Sequence, residues 1–401
     1  MVVDQIVLVV LTLSLVGSFL LGRIFRMIKL PAILAPLTFG LGLNWFFLHY
    51  PLKIAADFHE VTMMLANIGL VLLLFFLGLK VNFKFLRSFS KSSSIMALNA
   101  GIIPLELGFF VSYLFGYSFL KSLFVGICLA ITAEEVSIAI LDELKLIKNK
   151  IGQIIIEAGV IGDIFEIIAI SLLGIFMRYS NIGTSIEVSM IFIEFVLFCI
   201  SVICLRYVIS PLVFRLLGKS PRKYELFLGS FVVLLIMVLS SELLNYGYIL
   251  GALGAGLILK DQLIAEKNFN REYDIIEGVE TVAFGFLEPL VFIWVGLSID
   301  ITSMLNNPWF GIILTIVATA GKLLGSVIGS YFCRESLKEG LLMGWALNAR
   351  GATELFAILI ARNMGIIGAD IFSAIVFMAI VTTIISPIVF KVLVTRKFGI
   401  R

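Results

Sequence analysis

Asp163 stands near the middle of an apolar run from Ile151 to Leu173, with no basic partner inside that run. A carboxylate at such depth in a bilayer is costly unless it is paired, protonated or facing water. It can hold a proton or a monovalent cation, and a group that alternates between the two is the minimal part of a proton-coupled transporter. Helical spacing brings Glu166 to the same face as Asp163 and turns Glu157 elsewhere. Gly162 removes bulk beside the carboxylate and reads as a local break where an ion or another backbone can approach. The plainer alternative is a structural Asp bonded to a neighbouring hydroxyl.

Three other apolar runs carry polar groups that lipid should forbid. Ile131-Thr-Ala-Glu-Glu-Val-Ser137 places Glu134 and Glu135 beside the hydroxyls of Thr132 and Ser137. A helix interrupted at Ala133 would free backbone groups to line a cavity. The alternative is a helix that ends at a wet boundary. Lys322 lies near the centre of its run, too deep to snorkel easily. A buried ammonium wants a carboxylate, and Asp163 is the natural candidate. Otherwise Lys322 is a packing residue that reaches a backbone carbonyl. Arg350-Gly351 with Glu354 interrupts a further run, or Arg350 anchors a cytoplasmic helix end. Interrupted helices at corresponding places in two halves point to an alternating-access site. Charges beside the interruptions would offset the facing helix dipoles. Glu106, Glu157, Glu166, Glu194, Glu242 and Glu288 also fall in apolar runs, and one sequence assigns them no role.

The elements that must position these residues are membrane helices. Of 401 residues, 60% are hydrophobic and 14% charged, and the mean hydropathy is +1.11. A soluble domain offers water far more polar surface than this. The net charge of +3 is too small to suggest nucleic-acid binding. The cysteines, Cys128, Cys199, Cys204 and Cys333, lack metal-ligand spacing. With His49 and His59 as the only histidines, a His-based centre is nearly excluded. No nucleophile–base pair supports an enzyme, and no phosphate-binding loop supports ATP-driven transport. No cofactor is expected.

A spanning helix needs ~20 apolar residues, and such runs number about thirteen. They are Ile6–Leu21, Pro31–Leu48, Val61–Leu79, Ile95–Phe115, Leu120–Leu144, Ile151–Met177, Ile186–Tyr207, Glu225–Leu244, Tyr248–Ile264, Thr281–Leu297, Trp309–Phe332, Gly340–Ala361 and Phe372–Leu393. The ninth is short and Gly-rich. Lys and Arg collect after the odd-numbered runs, as at Lys80, Lys84, Arg87 and Lys91, or Lys145, Lys148 and Lys150. Cytoplasmic loops collect such residues, which predicts an N-terminus outside and a C-terminus in the cytoplasm. The opening Met-Val-Val-Asp has no basic region before its apolar run, which argues for a retained first span.

Four segments, in order, resemble the monovalent cation:proton antiporter superfamily, especially its bacterial and archaeal sodium/proton and potassium/proton exchangers. The first is Thr132 through Leu141-Asp-Glu-Leu144 to Gly159-Val-Ile-Gly-Asp163. The second is Pro289-Leu-Val-Phe-Ile-Trp-Val-Gly-Leu-Ser-Ile-Asp300. The third is Gly321-Lys-Leu-Leu-Gly325, similar to the family's buried-Lys helix, and the fourth is Ala349-Arg-Gly-Ala-Thr-Glu354. The resemblance implies one transporter domain over residues 1–401 and an all-α polytopic membrane protein. It further implies an inverted repeat, spans four to six mirroring eleven to thirteen, with two crossed broken helices. A core at about 93–177 and 307–394 would work against a dimerisation scaffold at about 1–80 and 224–298, joined by a linker helix at about 186–217. A homodimer in the cell membrane is expected. The chain departs from the pattern at Gly162-Asp163, where electrogenic members carry Asp-Asp and an electroneutral branch Asn-Asp. It departs again at Ala133, where the family often has Asp or Ser.

The first reading is therefore exchange of Na⁺, or K⁺ or Li⁺, for H⁺ by alternating access at Asp163. Thr132, Ser137 and freed carbonyls would supply oxygen ligands, with Glu134 and Glu135 nearby. Lys322, Arg350 and Glu354 would compensate charge. The second reading is a Na⁺-coupled carrier of a small organic anion held by Arg350, which the acid-rich cavity opposes. A membrane sensor would need an output domain that this sequence does not contain.

Overall fold

The computed structural model describes residues 2–27, 31–32, 34–50, 54–80, 89–132, 134–143, 145–179, 196–218, 221–244, 246–266, 269–302 and 308–398. At some helical positions, Glu134, Glu135, Asp163 and Glu166 among them, only the backbone is described. Every described element is helical. In chain order they are α1 (Val2–Met27), α2 (Leu34–His49), α3 (Ile54–Lys80), α4 (Lys91–Leu114), α5 (Phe119–Ala130), α6 (Glu134–Glu143) and α7 (Lys150–Tyr179). Then follow α8 (Val196–Leu216), α9 (Lys223–Leu243), α10 (Gly247–Glu266) and α11 (269–297). The last are α12 (Trp309–Phe332), α13 (Leu337–Leu347), α14 (Ala352–Asn363) and α15 (Ala369–Phe398). Among the described residues, 9 helices are long and apolar enough to cross a membrane.

The chain forms two compact units. The first holds Met1–Val10, Ala56–Phe85 and Ile170–Val291. Here α10 lies directly against α3: a Cβ on Gly256 would fall 2.3 Å from the Phe75 carbonyl oxygen. That contact explains Gly256 of the ninth run, because only a residue without Cβ lets two backbones come so close. Gly251 makes a like approach to α9, where its Cβ would fall 2.7 Å from the Val238 Cα. The helix α11 begins at 269, well before the expected Thr281. Its first turns carry Glu272, Asp274 and Glu277, which interrupt the apolar pattern. Those acids pair with Lys260 and Lys223, so charge that interrupts the apolar pattern is neutralised on a helix.

The second unit holds Leu11–Ala55, Leu86–Ala169 and Phe292–Arg401. One pattern occurs twice in it. The helix α4 has 24 residues, α5 and α6 have 12 and 10, and α7 has 30. The helix α12 has 24, α13 and α14 have 11 and 12, and α15 has 30. Each half is thus a long helix, an interrupted pair and a very long helix. The two halves meet along α4 and α12. A Cβ on Gly325 would lie 2.4 Å from the Asn99 carbonyl oxygen, and one on Gly321 2.8 Å from the Pro104 Cα. This contact holds the middle of α12, where Lys322 sits, hard against α4.

A buried cluster that includes Ile140, Leu141, Ile151, Ile155, Met343, Leu347 and Phe390 packs α6, α7, α13 and α15 together. Gly162 does not break its helix, against the expectation from its sequence context: α7 runs through it without interruption. Among the described residues, nothing lies within 4 Å of where its Cβ would be. One glycine costs a helix only about 1 kcal/mol, too little to interrupt thirty residues of otherwise regular pattern.

Candidate functional site

The two interruptions face each other. The first follows α5, which ends at Ala130, with Ile131 and Thr132 extended or irregular before α6. Ala133 lies outside the described residues. The second spans residues 348–351, between Leu347 at the end of α13 and Ala352 at the start of α14. Gly351 is extended, with φ −142° and ψ −159°.

A helix end leaves its last carbonyls without partners inside the helix. At the end of α5 those carbonyls are taken by two cations from the other half. Arg350 donates from Nη1 to the carbonyls of Cys128, at 3.0 Å, and of Ile131. Its Nη2 donates to Leu129 at 2.8 Å. Lys322 donates to the Ala130 carbonyl at 2.6 Å and to the Thr132 hydroxyl at 2.5 Å. Both side chains are buried, Arg350 completely and Lys322 to 1% exposure. A positive group at a helix C-terminus opposes the macrodipole favourably, and a guanidinium can serve several carbonyls at once. Burial overturns the reading of Arg350 as a cytoplasmic anchor.

Other side chains hold the second interruption in place. Thr383 of α15 donates to the Arg350 carbonyl at 2.9 Å. Asn348 donates to Ser386 at 2.9 Å and more weakly to Thr319 at 3.4 Å. Ser137 of α6 donates to the Ala346 carbonyl at 2.5 Å, which ties the two interrupted pairs together. Its hydroxyl hydrogen is thereby committed to α13. Glu354 is fully buried in the first turn of α14, with Oε2 3.6 Å from Nε of Arg350. Among the described residues neither Glu354 oxygen accepts a hydrogen bond. It is held by the opposite charge one turn away and by the helix N-terminus.

The structure therefore brings Thr132, Lys322, Arg350 and Glu354 to the meeting of the two interruptions, with Ser137 one turn into α6. Asp163 lies on α7, but its side chain, with those of Glu134, Glu135 and Glu166, is outside the described residues. Glu157 has a different place: its Oε2 accepts the Ser90 N–H at 2.9 Å, at the start of α4. Among the described residues no group of His, Cys, Asp and Glu could hold a multivalent metal. The arrangement concentrates fixed positive charge at the end of α5 and leaves oxygen-rich, non-helical backbone beside it. Such a place suits a small cation only if a carboxylate supplies compensating negative charge.

Three bracing residues, Thr383, Asn348 and Ser386, carry no signal in the sequence. Their partners lie 33, 29 and 38 positions away, and no local period marks a hydroxyl that braces a distant break.

Over residues 11–396 the chain matches the family model described as sodium/hydrogen exchanger, transmembrane. A Na⁺/H⁺ antiporter of Enterococcus hirae is 25% identical over 395 residues, 97% of this chain and 98% of that protein. A Na⁺/H⁺-K⁺ antiporter of Bacillus cereus is 26% identical over 390 residues, 96% and 95% of the two chains. A solved structure of a sodium proton antiporter from Methanocaldococcus jannaschii superposes with a TM-score of 0.65 and covers 98% of each chain. At 17% identity that likeness is one of fold.

Proposed function

Because this chain belongs to the sodium/hydrogen exchanger family, we propose that it exchanges Na⁺ for H⁺ by alternating access, with Asp163 as the shared site. The family makes it a multi-pass membrane transporter of cations and protons, and not an enzyme. Na⁺ is the first choice because sodium is named in both relatives, and K⁺ the second because one of them also carries K⁺ in its name. The organic-anion reading loses its ground, since Arg350, its expected anion ligand, is buried under α5 and engaged by carbonyls.

One observation supports this reading most: Lys322 puts a buried ammonium at the interruption, hydrogen-bonded to Ala130 and Thr132. A fixed positive charge there repels a lone cation. A negative partner must accompany it, and Asp163 on the adjoining α7 is the carboxylate the sequence offers. A cation and a proton then compete for one carboxylate, and that competition alone couples their fluxes. Remaining lone pairs on the Thr132 hydroxyl and on the carbonyls of the interruptions complete an oxygen shell, with Ser137, Glu134 and Glu135 as further oxygens. Lys322, Arg350 and Glu354 balance charge. We take the protein as a homodimer in the cell membrane with about thirteen spans, its N-terminus outside and its C-terminus in the cytoplasm. A moving core of about 93–177 and 307–394 would work against a scaffold of about 1–80 and 224–298, joined at about 186–217.

The test is reconstitution in vesicles with an imposed pH gradient and additions of Na⁺, Li⁺, K⁺ and organic anions in turn. Dissipation of the gradient by Na⁺ or K⁺ is the expected result. Dissipation by an anion alone rejects the reading.

A further inference from the structure

The segment Gly296–Asp300 resembles a family motif, and the exchange reading has given it no role. In the structure it is gripped from two directions. Asn44 of α2 donates to the Ile299 carbonyl at 2.7 Å. From the other direction Arg362, at the end of α14, donates from Nη1 to the Ser298 carbonyl at 2.6 Å. The same guanidinium lies 4.4 Å from the centre of the Phe372 ring, which fixes its direction. Two residues beyond Ser298, the Asp300 N–H donates to the Ser373 hydroxyl at 2.9 Å. Arg362 and Ser373 both belong to the second interrupted pair and its following helix.

The helix α14 joins this grip to the ion site. Glu354 and Arg362 lie on one continuous helix, and eight residues at 1.5 Å rise put them about 12 Å apart. A short helix is stiff on that scale. Any shift of the second interruption on binding or release of an ion must carry Arg362 with it. The contacts it would break are polar. A hydrogen bond to a carbonyl exchanges for one to water at small net cost, so such a tie releases and reforms readily where a fused apolar seam would not.

We propose that Arg362 and Ser373 form a latch that holds α14 and α15 to the Gly296–Asp300 segment, closing one face of the transporter, and that it opens once in each exchange cycle. Arg362 is a positioning residue here, acting on the ion site through α14. The latch rests on the exchange reading, because an antiporter must close each face in turn.

The experiment reads the latch without reference to transport. In a background lacking the native cysteines, Ser298→Cys places a thiol on the latched segment. Ser298 is buried, and its hydroxyl has no hydrogen-bond partner among the described residues, so the exchange disturbs little and leaves the carbonyl in place. Labelling by a membrane-impermeant maleimide is expected to be slow in this parent and ~tenfold faster with Arg362→Ala added, as for loss of one charge-assisted hydrogen bond. Ser373→Ala is expected to give a smaller acceleration. Arg362→Lys, which keeps a charged donor, returns the rate towards the parent. Should Arg362→Ala fail to fold, Ser373→Ala and Arg362→Lys carry the comparison. In oriented vesicles the apparent KM for Na⁺ should fall at the latched face and rise at the other, because the population has shifted. Equal labelling in the parent and both alanine variants overturns the proposal. So does faster labelling with an unchanged ratio of the two KM values, which is local loosening. If the unmutated protein exchanges no cation for protons, the functional reading fails, while the labelling rates still decide whether the segment opens.

Discussion

Arg350 spans from one half of the second unit to the other, its Nη2 2.8 Å from the carbonyl oxygen of Leu129 in the last turn of α5. The side chain is fully buried, and among the described residues it pairs with the carboxylate of Glu354 at 3.6 Å. The guanidinium therefore caps one helix while balancing a charge at the start of another. Arg350→Met removes both services. It removes the Arg350 donor from three carbonyls and the counter-charge paired with Glu354. Loss of one partner of a buried pair costs about 3–5 kcal/mol, so a marked fall in melting temperature in detergent is expected. Arg350→Lys should recover only part, because one ammonium cannot serve carbonyls on Cys128, Leu129 and Ile131 together.

The same pair predicts a non-additive double mutant. Glu354→Gln alone leaves Arg350 held by its carbonyls, so its cost is the smaller. Added to Arg350→Met, it neutralises the stranded carboxylate. The double variant should melt above Arg350→Met alone, with a coupling of about 1–3 kcal/mol. A double variant that melts no higher than the sum of the single losses shows that the two side chains do not compensate each other.

Asp163→Asn should leave the protein folded, inserted and unable to exchange. The amide keeps the shape of the carboxyl but neither titrates nor carries charge. The measurement is the pH gradient in vesicles on adding Na⁺ or K⁺, with melting temperature as the control for folding. An Asn variant that still dissipates the gradient removes Asp163 from the mechanism.

Which features are legible in the amino-acid sequence depends on the range of each interaction. The interruption at Arg350-Gly351 can be read because charge and glycine break an apolar period within four residues. Lys322 stands out because depth in a run is a local property. Its partners do not: Ala130 and Thr132 lie 192 and 190 positions away. Its chemistry allows either a carboxylate partner or a backbone carbonyl, and the Ala130 carbonyl is one of its partners. Gly162 misleads in the other direction. A glycine beside a carboxylate looks like a break, but one glycine costs a helix only about 1 kcal/mol, and α7 runs through it. The start of α11 is hidden because Glu272, Asp274 and Glu277 interrupt the apolar pattern, and only the fold brings Lys260 and Lys223 beside them.

Lys322→Ala should have two effects that separate its roles. The end of α5 loses the donor to Ala130 and Thr132, so melting temperature falls. If Lys322 also faces Asp163 during the cycle, its removal takes away a cation that favoured the ionised carboxylate. Proton release then needs a higher pH, and the acid limb of the exchange profile moves in the alkaline direction. A lower melting temperature with an unmoved profile confines Lys322 to bracing α5.

The last prediction concerns charge movement. Gly162 occupies the position where electrogenic relatives of this architecture are expected to carry a second carboxylate. With Asp163 alone, one proton leaves as one monovalent cation enters. If Lys322 keeps its proton throughout, held by the Ala130 carbonyl and Thr132, no net charge crosses per cycle. Exchange should then be indifferent to membrane voltage. The competing outcome is that a second group, Lys322 itself or Glu134 or Glu135, gives up a proton in the same step. Two protons would then move per cation, and each net charge would add about 2.3 kcal/mol of driving force per 100 mV. Vesicles clamped with valinomycin at several K⁺ gradients, with Na⁺ as the transported ion, distinguish the two. A Na⁺-driven rate that stays level across imposed potentials fits one-for-one exchange at Asp163. A rate that rises and falls with potential requires a second titrating group, and Lys322→Ala then shows whether that group is the lysine, since its voltage dependence should vanish with it.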